Sequence, residues 1–391
     1  MNKITLIGDI VCDRQMLKNA KIGNTYDFEK MFSPLIDFFK DSDYVIANLE
    51  TSISDGNYTK SIFSFSNPEE LVVAIKKIGI DAVSIANNHI LDRGTYGVES
   101  TIKYLNKNNI KYFGLSSKEN KYGILNLNLK EIKLSVLGYT DSTNYHINKY
   151  LISDDWEFKV NLLKSQKTTK KFKTNSIIKR IYHKLTPDTR IIIKRILHKK
   201  IKPINDDDYA YEKKYFNHIK KSIYEAKENN RYVLMYPHMG GQYNIEPGDY
   251  TKKMVRNFCN MGCDSVVITH PHIIQNMKIL KDPKPVFYSI GGLVISPDSK
   301  YVLWETLPEY SLAVHYYFEK NKLKKITVSV LICISDKKSY LRVYPFFDFY
   351  YSLKCDKRKK YEIQYEKILD RLLLSQDNCY KVKREYLVVE Y

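Results

Sequence analysis

The chain has 391 residues, 43% of them hydrophobic and 27% charged, a length and balance that allow a sizeable core and exclude a disordered or low-complexity protein. At roughly 150 residues per domain, it is one large domain with insertions or two domains. The formal charge is +19, but residues 159–202 carry 15 Lys and Arg against one acid, Asp188, so that segment alone supplies +14.

The start, residues 1–10, holds one apolar cluster of strand length followed by a charged residue, which reads as neither a signal peptide nor a membrane span. A cytoplasmic location follows as an expectation. The six cysteines (Cys12, Cys259, Cys263, Cys333, Cys355, Cys379) show no CxxC spacing, so reduced, mostly buried thiols are expected.

In chain order, residues 3–7 read as a buried strand running into Gly8-Asp9, and residues 43–47 as a second running into Asn48-Leu49-Glu50. The spacing of Leu71, Val72, Ile75 and Ile78 predicts a helix over 68–78, stopped at Gly79. A third strand over 81–85 ends at Asn87-Asn88-His89. A helix over 97–108, a short strand over 111–114 and two strands within 125–139 follow. Beyond the basic segment come a helix over 209–229, a strand over 232–236 into Pro237-His238, and a helix over 252–261. A strand over 265–269 then runs into His270-Pro271-His272, and one over 286–290 into Gly291-Gly292.

This alternation predicts an α/β fold, a largely parallel or mixed sheet covered by helices on both faces. From residue 303 strand-like runs over 310–318, 326–334 and 340–345 precede a helix over 361–374. The expected organisation is a core of residues 1–155 and 203–300, a basic helical insertion over 156–202, and a β-rich extension with a C-terminal helix over 301–391.

Polar residues recur just past the carboxyl ends of these strands, the edge where open α/β sheets bind ligands. Asp9, Asn48, Glu50, Asn87, Asn88, His89, Asp92, His238, His270 and His272 offer oxygen and imidazole donors, which suit Mn, Fe, Zn or Mg. A lone histidine after a strand is more often a structural residue than a ligand, and an Asn-Asn-His turn can be simple turn chemistry. Convergence of the strand ends on one side, with the two HxH side chains expected on one face, raises the odds of a site.

Gly8-Asp9, Asn48-Leu49-Glu50, Ala86-Asn87-Asn88-His89-x-x-Asp92-x-Gly94, His238-Met-Gly-Gly-Gln242-Tyr243 and His270-Pro-His272-x-x-Gln275 resemble, in order and spacing, the CapA (PGA_cap) family of capsule and poly-γ-glutamate biosynthesis, over residues 4 to 297. The resemblance implies a metallophosphoesterase-like layered sheet covered by helices and one or two divalent metal ions. It implies Asp9, Glu50 and His272 around one metal, and Glu50, Asn88, His238 and His270 around a second. His89 resembles the residue that protonates a leaving alkoxide. Asp92 is expected to position that loop, and Asn48, Asn87, Tyr243 and Gln275 to contact substrate. Three departures bear on activity. Metallophosphoesterases carry His where this chain has Val11, the family pattern usually has an acid at Gln242, and its Ser-Leu-Gly-Asn-Phe motif reads Ser289-Ile-Gly-Gly292-Leu293 here. Asp13 and Cys12 are near enough in sequence to replace the missing imidazole.

In the basic segment, Ile177, Ile178, Ile181, Tyr182 and Leu185 share one helical face, Pro187 interrupts, and a second run carries Ile191 to Ile201 among Arg190, Lys194, Arg195, Lys199 and Lys200. Such amphipathic basic helices suit an anionic bilayer or, equally, a hairpin packed on the core with solvated lysines. No nucleic-acid motif accompanies the charge, which speaks against nucleic acid as a partner. The expected function is a hydrolase-like metal site acting on a phosphorylated or acidic polymer. The protein would be peripheral on the inner face of the membrane through residues 174–202, with an anionic surface polymer or its precursor and a polymer synthase as partners. The alternative is a non-catalytic assembly subunit or polymer-binding scaffold with a degenerate metal site.

Overall fold

The computed structural model describes residues 1–56, 58–59, 63–130, 132–167, 185, 212–228, 231–295, 302–335, 340–374 and 381–391. The strands divide between two sheets. One has eight strands, in the order Leu341–Pro345, Lys322–Ser335, Tyr310–Glu319, Asn2–Ile10, Tyr44–Leu49, Ala82–Ser84, Lys111–Phe113, with Tyr386–Glu390 also pairing Lys322–Ser335. The other has six, in the order Ile124–Leu129, Ile132–Thr140, Tyr232–His238, Ser265–Val267, Lys284–Phe287, Met277–Leu280.

Side-chain alternation explains why the two sheets face each other. In Tyr44–Leu49, Ile46 points to one side and Val45, Ala47 and Leu49 to the other. Ile46 joins Ile4, Leu6, Leu134, Val136, Leu234 and Tyr236 in a core between the sheets. Val45 and Ala47 pack under the helices Glu69–Lys77 and Gly94–Lys107. On the far side, Val233, Met235 and Val266 meet the helices Lys213–Ala226 and Asp249–Met261. Strands buried on both faces read as continuous apolar runs in the sequence, so periodicity could not assign them to separate sheets. The Tyr236 hydroxyl, donating to the Ile7 carbonyl, stitches the two sheets together.

The strands after residue 302 continue the first sheet: Tyr310–Glu319 pairs antiparallel with Asn2–Ile10 along its length. Among the elements not legible in the sequence are the strand Met277–Leu280, the helix Phe346–Ser352 and the last strand Tyr386–Glu390, all short. Residues 156–167, expected in the insertion, belong to the body. Lys159–Val160 pairs with Leu115–Ser116, Val160 and Leu163 are buried, and Thr140 N donates to Asn161 O at 2.9 Å. The expected amphipathic helices over 174–202 lie outside the described residues, apart from Leu185. Ser165 N donates to Glu212 Oε1 at 3.1 Å, which brings these two described residues side by side. Cys12, Cys259, Cys263 and Cys333 are free and buried, Cys355 is free and exposed, and Cys379 lies outside the described residues. Among the described residues no helix is long and apolar enough to cross a membrane.

Candidate metal centre

The first strand carries Gly8-Asp9 under the Gly291 carbonyl. A Cβ on Gly8 would overlap that oxygen, so glycine is required there by close approach rather than by backbone angle. The register of Asn2–Ile10 against Tyr44–Leu49 shifts between Leu6 and Asp9, and Leu293 N donates to Asp9 O at 2.8 Å. The carboxylate of Asp9 is thereby fixed between the two sheets, fully buried. Glu50 follows the second strand and is equally buried. His238 ends Tyr232–His238, and His270 and His272 follow Ser265–Val267.

These ends converge. His238 Nε2 is 3.4 Å from Glu50 Oε1, its Nδ1 3.4 Å from Asp9 Oδ1, and its Nε2 2.9 Å from Asn88 Oδ1. His272 Nδ1 is 3.2 Å from Asp9 Oδ2 and its Nε2 3.8 Å from Glu50 Oε1. His270 Nδ1 is 2.9 Å from His238 Nε2, and His270 N donates to Asp9 Oδ2 at 3.0 Å. One potential ligand atom from each of Asp9, Glu50 and His272 lies within 4.8 Å of the others, and the same holds for Glu50, His238 and His270. Glu50 belongs to both groups.

The electrostatics are those of a site built for cations. Both Glu50 carboxylate oxygens are buried with no hydrogen-bond partner, an arrangement that costs free energy unless a positive charge compensates it. Burial opposes charge on His238, yet Glu50 and then Asp9 outweigh it and push the ring up to about 10. His272 is raised in the same way: burial works against it, and Glu50 and Asp9 prevail. Asp9, despite burial, is held well below the usual carboxylate range by His238 and His272. Burial, reinforced by its cationic neighbours His238 and His272, drives His270 well down, leaving a neutral imidazole of the kind that ligates metals. Two carboxylates, three imidazoles and the Asn88 oxygen thus fit a divalent cation in donor type and in charge.

His270 and His272 both have left-handed backbones, with φ of 99° and 59°. Strand alternation therefore does not aim them, as expected from the HxH spacing; a strained turn does. His89 Nδ1 contacts Asp92 Oδ2 at 2.6 Å, and its Nε2 lies 3.8 Å from Glu50 Oε1. Asp92 Oδ2 also accepts from Phe65 N at 2.6 Å, and the Phe65 ring lies over the His89 ring with centroids 4.2 Å apart.

Of the four residues expected to contact substrate, Tyr243 lines the pocket in front of Glu50 and His89, and the other three do not. Asn48 Nδ2 donates to Asp9 Oδ1 at 2.7 Å and is 3.0 Å from His238 Nδ1, so it holds these two side chains from behind. Asn87 Nδ2 donates to Leu49 O at 2.8 Å, and Gln275 Nε2 to Asn244 O at 2.6 Å. Among the described residues Asp13 and Cys12 lie in neither ligand group. Asp13 Oδ1 caps the helix Arg14–Ala20, accepting from Gln15 N and Met16 N at 3.0 Å, and the wholly buried Cys12 belongs to neither ligand group. Thr269, whose Oγ1 is 3.0 Å from His238 Nδ1, and Phe65 were missed. Thr269 adjoins the HxH motif and was open to suspicion, whereas Phe65, in a loop without pattern, carried no signal.

A two-sheet α/β protein whose strand ends gather this donor set carries a candidate divalent-metal centre. The chain belongs to the bacterial capsule synthesis protein PGA_cap family, whose model matches residues 3–296. Among its relatives are the capsule biosynthesis protein CapA of Bacillus anthracis, 24% identical over 326 residues (81% of this chain, 64% of that protein), and the PGA biosynthesis protein CapA of Bacillus subtilis (strain 168), 23% identical over 333 residues (83% of this chain, 70% of that protein). The chain thus spans about two thirds of the length of these relatives. Similar solved structures include a hypothetical protein from Thermus thermophilus (TM-score 0.43, 14% identity, 84% of this chain, 98% of that one) and a novel phosphatase from Mycoplasma pneumoniae (TM-score 0.37, 11% identity, 88% and 92%).

Proposed function

We propose that this chain is a metal-dependent phosphoesterase-like hydrolase of capsule or surface-polymer biosynthesis, acting on a phosphorylated or acidic polymer or its precursor. The observation that carries the reading is Glu50, whose two buried oxygens lack hydrogen-bond partners and whose carboxylate is common to both ligand groups. Asp9, Glu50 and His272 would hold one ion, and Glu50, Asn88, His238 and His270 a second. A divalent metal held by these residues would supply Lewis-acid polarisation of a phosphoryl oxygen and a water of lowered pKa. In the reaction, water oxygen bonds to phosphorus, the ester P–O bond breaks, and the leaving oxygen takes a proton. His89 is the candidate for that proton transfer: its Nδ1 is engaged by Asp92 and its Nε2 lies toward Glu50 and the ligand groups. Phe65 covers one face of that ring and keeps water from it.

One observation favours the alternative, a non-catalytic assembly subunit or polymer-binding scaffold. Val11, Gln242 and Gly292, the three departures from polar or charged residues, all line the same pocket. Elemental analysis of protein purified without chelator separates the readings. Mn, Fe, Zn or Mg at near-stoichiometric level is expected, whereas no metal even after reconstitution sinks the hydrolase and leaves the scaffold.

Contact with an anionic membrane surface through residues 174–202, and with a polymer synthase, extends the same proposal. It is supported by the charge of that segment. Deleting 174–202 is expected to lower co-sedimentation with phosphatidylserine vesicles at least tenfold while metal content stays unchanged. Equal sedimentation of the deletion variant would assign the segment elsewhere.

A further inference from the structure

His238 presents its two ring nitrogens to two different neighbourhoods. Around Nε2 stand the other candidate ligands of the second ion, Asn88 Oδ1 and His270 Nδ1 at 2.9 Å and Glu50 Oε1 at 3.4 Å. Around Nδ1 stand Asn48 Nδ2 and Thr269 Oγ1, both at 3.0 Å, and Asp9 Oδ1 at 3.4 Å. A histidine that binds a metal through Nε2 keeps its hydrogen on Nδ1, and the group that accepts this hydrogen fixes the tautomer and the orientation of the ring.

The three neighbours of Nδ1 are not equivalent. Asn48 cannot accept, because its amide is pinned from both ends: Nδ2 donates to Asp9 Oδ1 at 2.7 Å, and Oδ1 accepts from Asn87 Nδ2 at 3.3 Å. The atom it turns to the ring is therefore a donor. Asp9 Oδ1 stands outside the ordinary hydrogen-bond range of roughly 2.7–3.2 Å and already takes the Asn48 amide. Thr269 Oγ1 lies within that range, and a hydroxyl oxygen can accept.

The backbone puts Thr269 in this place. Its N donates to Pro237 O and its O accepts from Met239 N, both at 3.0 Å, so that Thr269 and His238 are bridged as parallel partners. Residues paired in this way project their side chains to the same side of the sheet. Branching at Cβ restricts the Thr269 rotamers and so fixes its oxygen. Thr269 ends the apolar run Val266-Val267-Ile268 and is 1% exposed. Valine would fill the same volume and favour the strand equally, whereas a hydroxyl at such depth costs free energy unless it is paired. The partner it has is His238 Nδ1.

Resting on the metal-centre reading above, we infer that Thr269 is a positioning residue for the second ion: its hydroxyl oxygen accepts the Nδ1 hydrogen of His238 and keeps Nε2 turned to the ligand cluster.

The test is calorimetric titration of the full chain with Mn²⁺. Thr269→Val, which keeps the shape and loses the acceptor, is expected to weaken Mn²⁺ binding about 10- to 100-fold, the usual effect of removing such a partner. Thr269→Ser, which keeps the acceptor, is expected to bind like the wild type. Equal affinity in the valine and serine variants overturns the inference, because a residue that merely packs would not separate them. Nitrogen NMR of the imidazoles in Zn²⁺-loaded wild type needs no variant, and is expected to show the His238 hydrogen on Nδ1. A hydrogen on Nε2 overturns the inference as well. A wild type that binds no Mn²⁺ takes the metal reading down together with this role. Metal bound equally by the wild type and Thr269→Val removes the role of Thr269 alone.

Discussion

On the two-ion arrangement proposed above, replacing Glu50 by alanine or by glutamine is expected to abolish metal binding at both positions at once, to below a tenth of the wild-type content by elemental analysis. The carboxylate is fully buried, both its oxygens lack hydrogen bonds, and it belongs to both ligand groups. Losing it subtracts a ligand from each position and half of the negative charge that Asp9 and Glu50 present to His238 and His272. Glutamine keeps the shape and loses the charge, so equal loss in both variants assigns the effect to charge. The stabilisation by bound metal goes with it, about 3–4 kcal/mol when free metal exceeds Kd by 100- to 1,000-fold. Adding MnCl₂ should therefore raise the thermal midpoint of the wild type and not of either variant. Retention of full metal content in both variants would dismantle the shared-ligand assignment. Loss of one ion only would reduce Glu50 to an ordinary ligand.

Gly8→Ala is expected to be the most damaging single-methyl change in the body, costing about 3 kcal/mol or more. The methyl carbon would overlap the Gly291 carbonyl oxygen, and the clash is with backbone, which a rotamer change cannot relieve. Gly291 cannot retreat easily, because its own position is already confined, with φ 78° and the Tyr310 carbonyl 2.8 Å from where a Cβ would sit. The strain would spread to the neighbouring bond from Leu293 N to Asp9 O and hence to the Asp9 carboxylate. A fall in the urea midpoint together with weakened metal retention is the expected pair of results. An unchanged midpoint would mean that the first strand and the Gly291 turn are farther apart than described.

The site was more legible than the architecture that holds it. Each candidate ligand stands at or just past an apolar run, but it was the family resemblance in motif order and spacing, not strand-end position alone, that implied Asp9, Glu50, Asn88, His238, His270 and His272 as ligands in advance. Asn48, Asn87 and Gln275 were equally visible and expected to contact substrate, whereas their amides are bonded to Asp9, Leu49 and Asn244. A polar side chain in a motif looks the same whether it faces a ligand or turns back to hold Asp9, Leu49 or Asn244, and only the hydrogen-bond partners tell these apart. Phe65 was invisible because its role depends on the Asp92 carboxylate, which meets it across 27 residues.

What the sequence by itself determined was local and chemical: which runs are strands, which residue types follow them, and where the excess positive charge lies. These depend on periodicity and composition, which need no knowledge of distant neighbours. The tertiary structure alone decided how the strands divide into two facing sheets, that Tyr310–Glu319 closes against Asn2–Ile10, and that Glu50 is common to two ligand groups. It also decided that Tyr243 and Asp13 share a pocket with Phe65. The physical reason is that runs buried on both faces carry no mark of their partner. Register, clash and charge compensation arise only between segments tens to hundreds of residues apart in the chain.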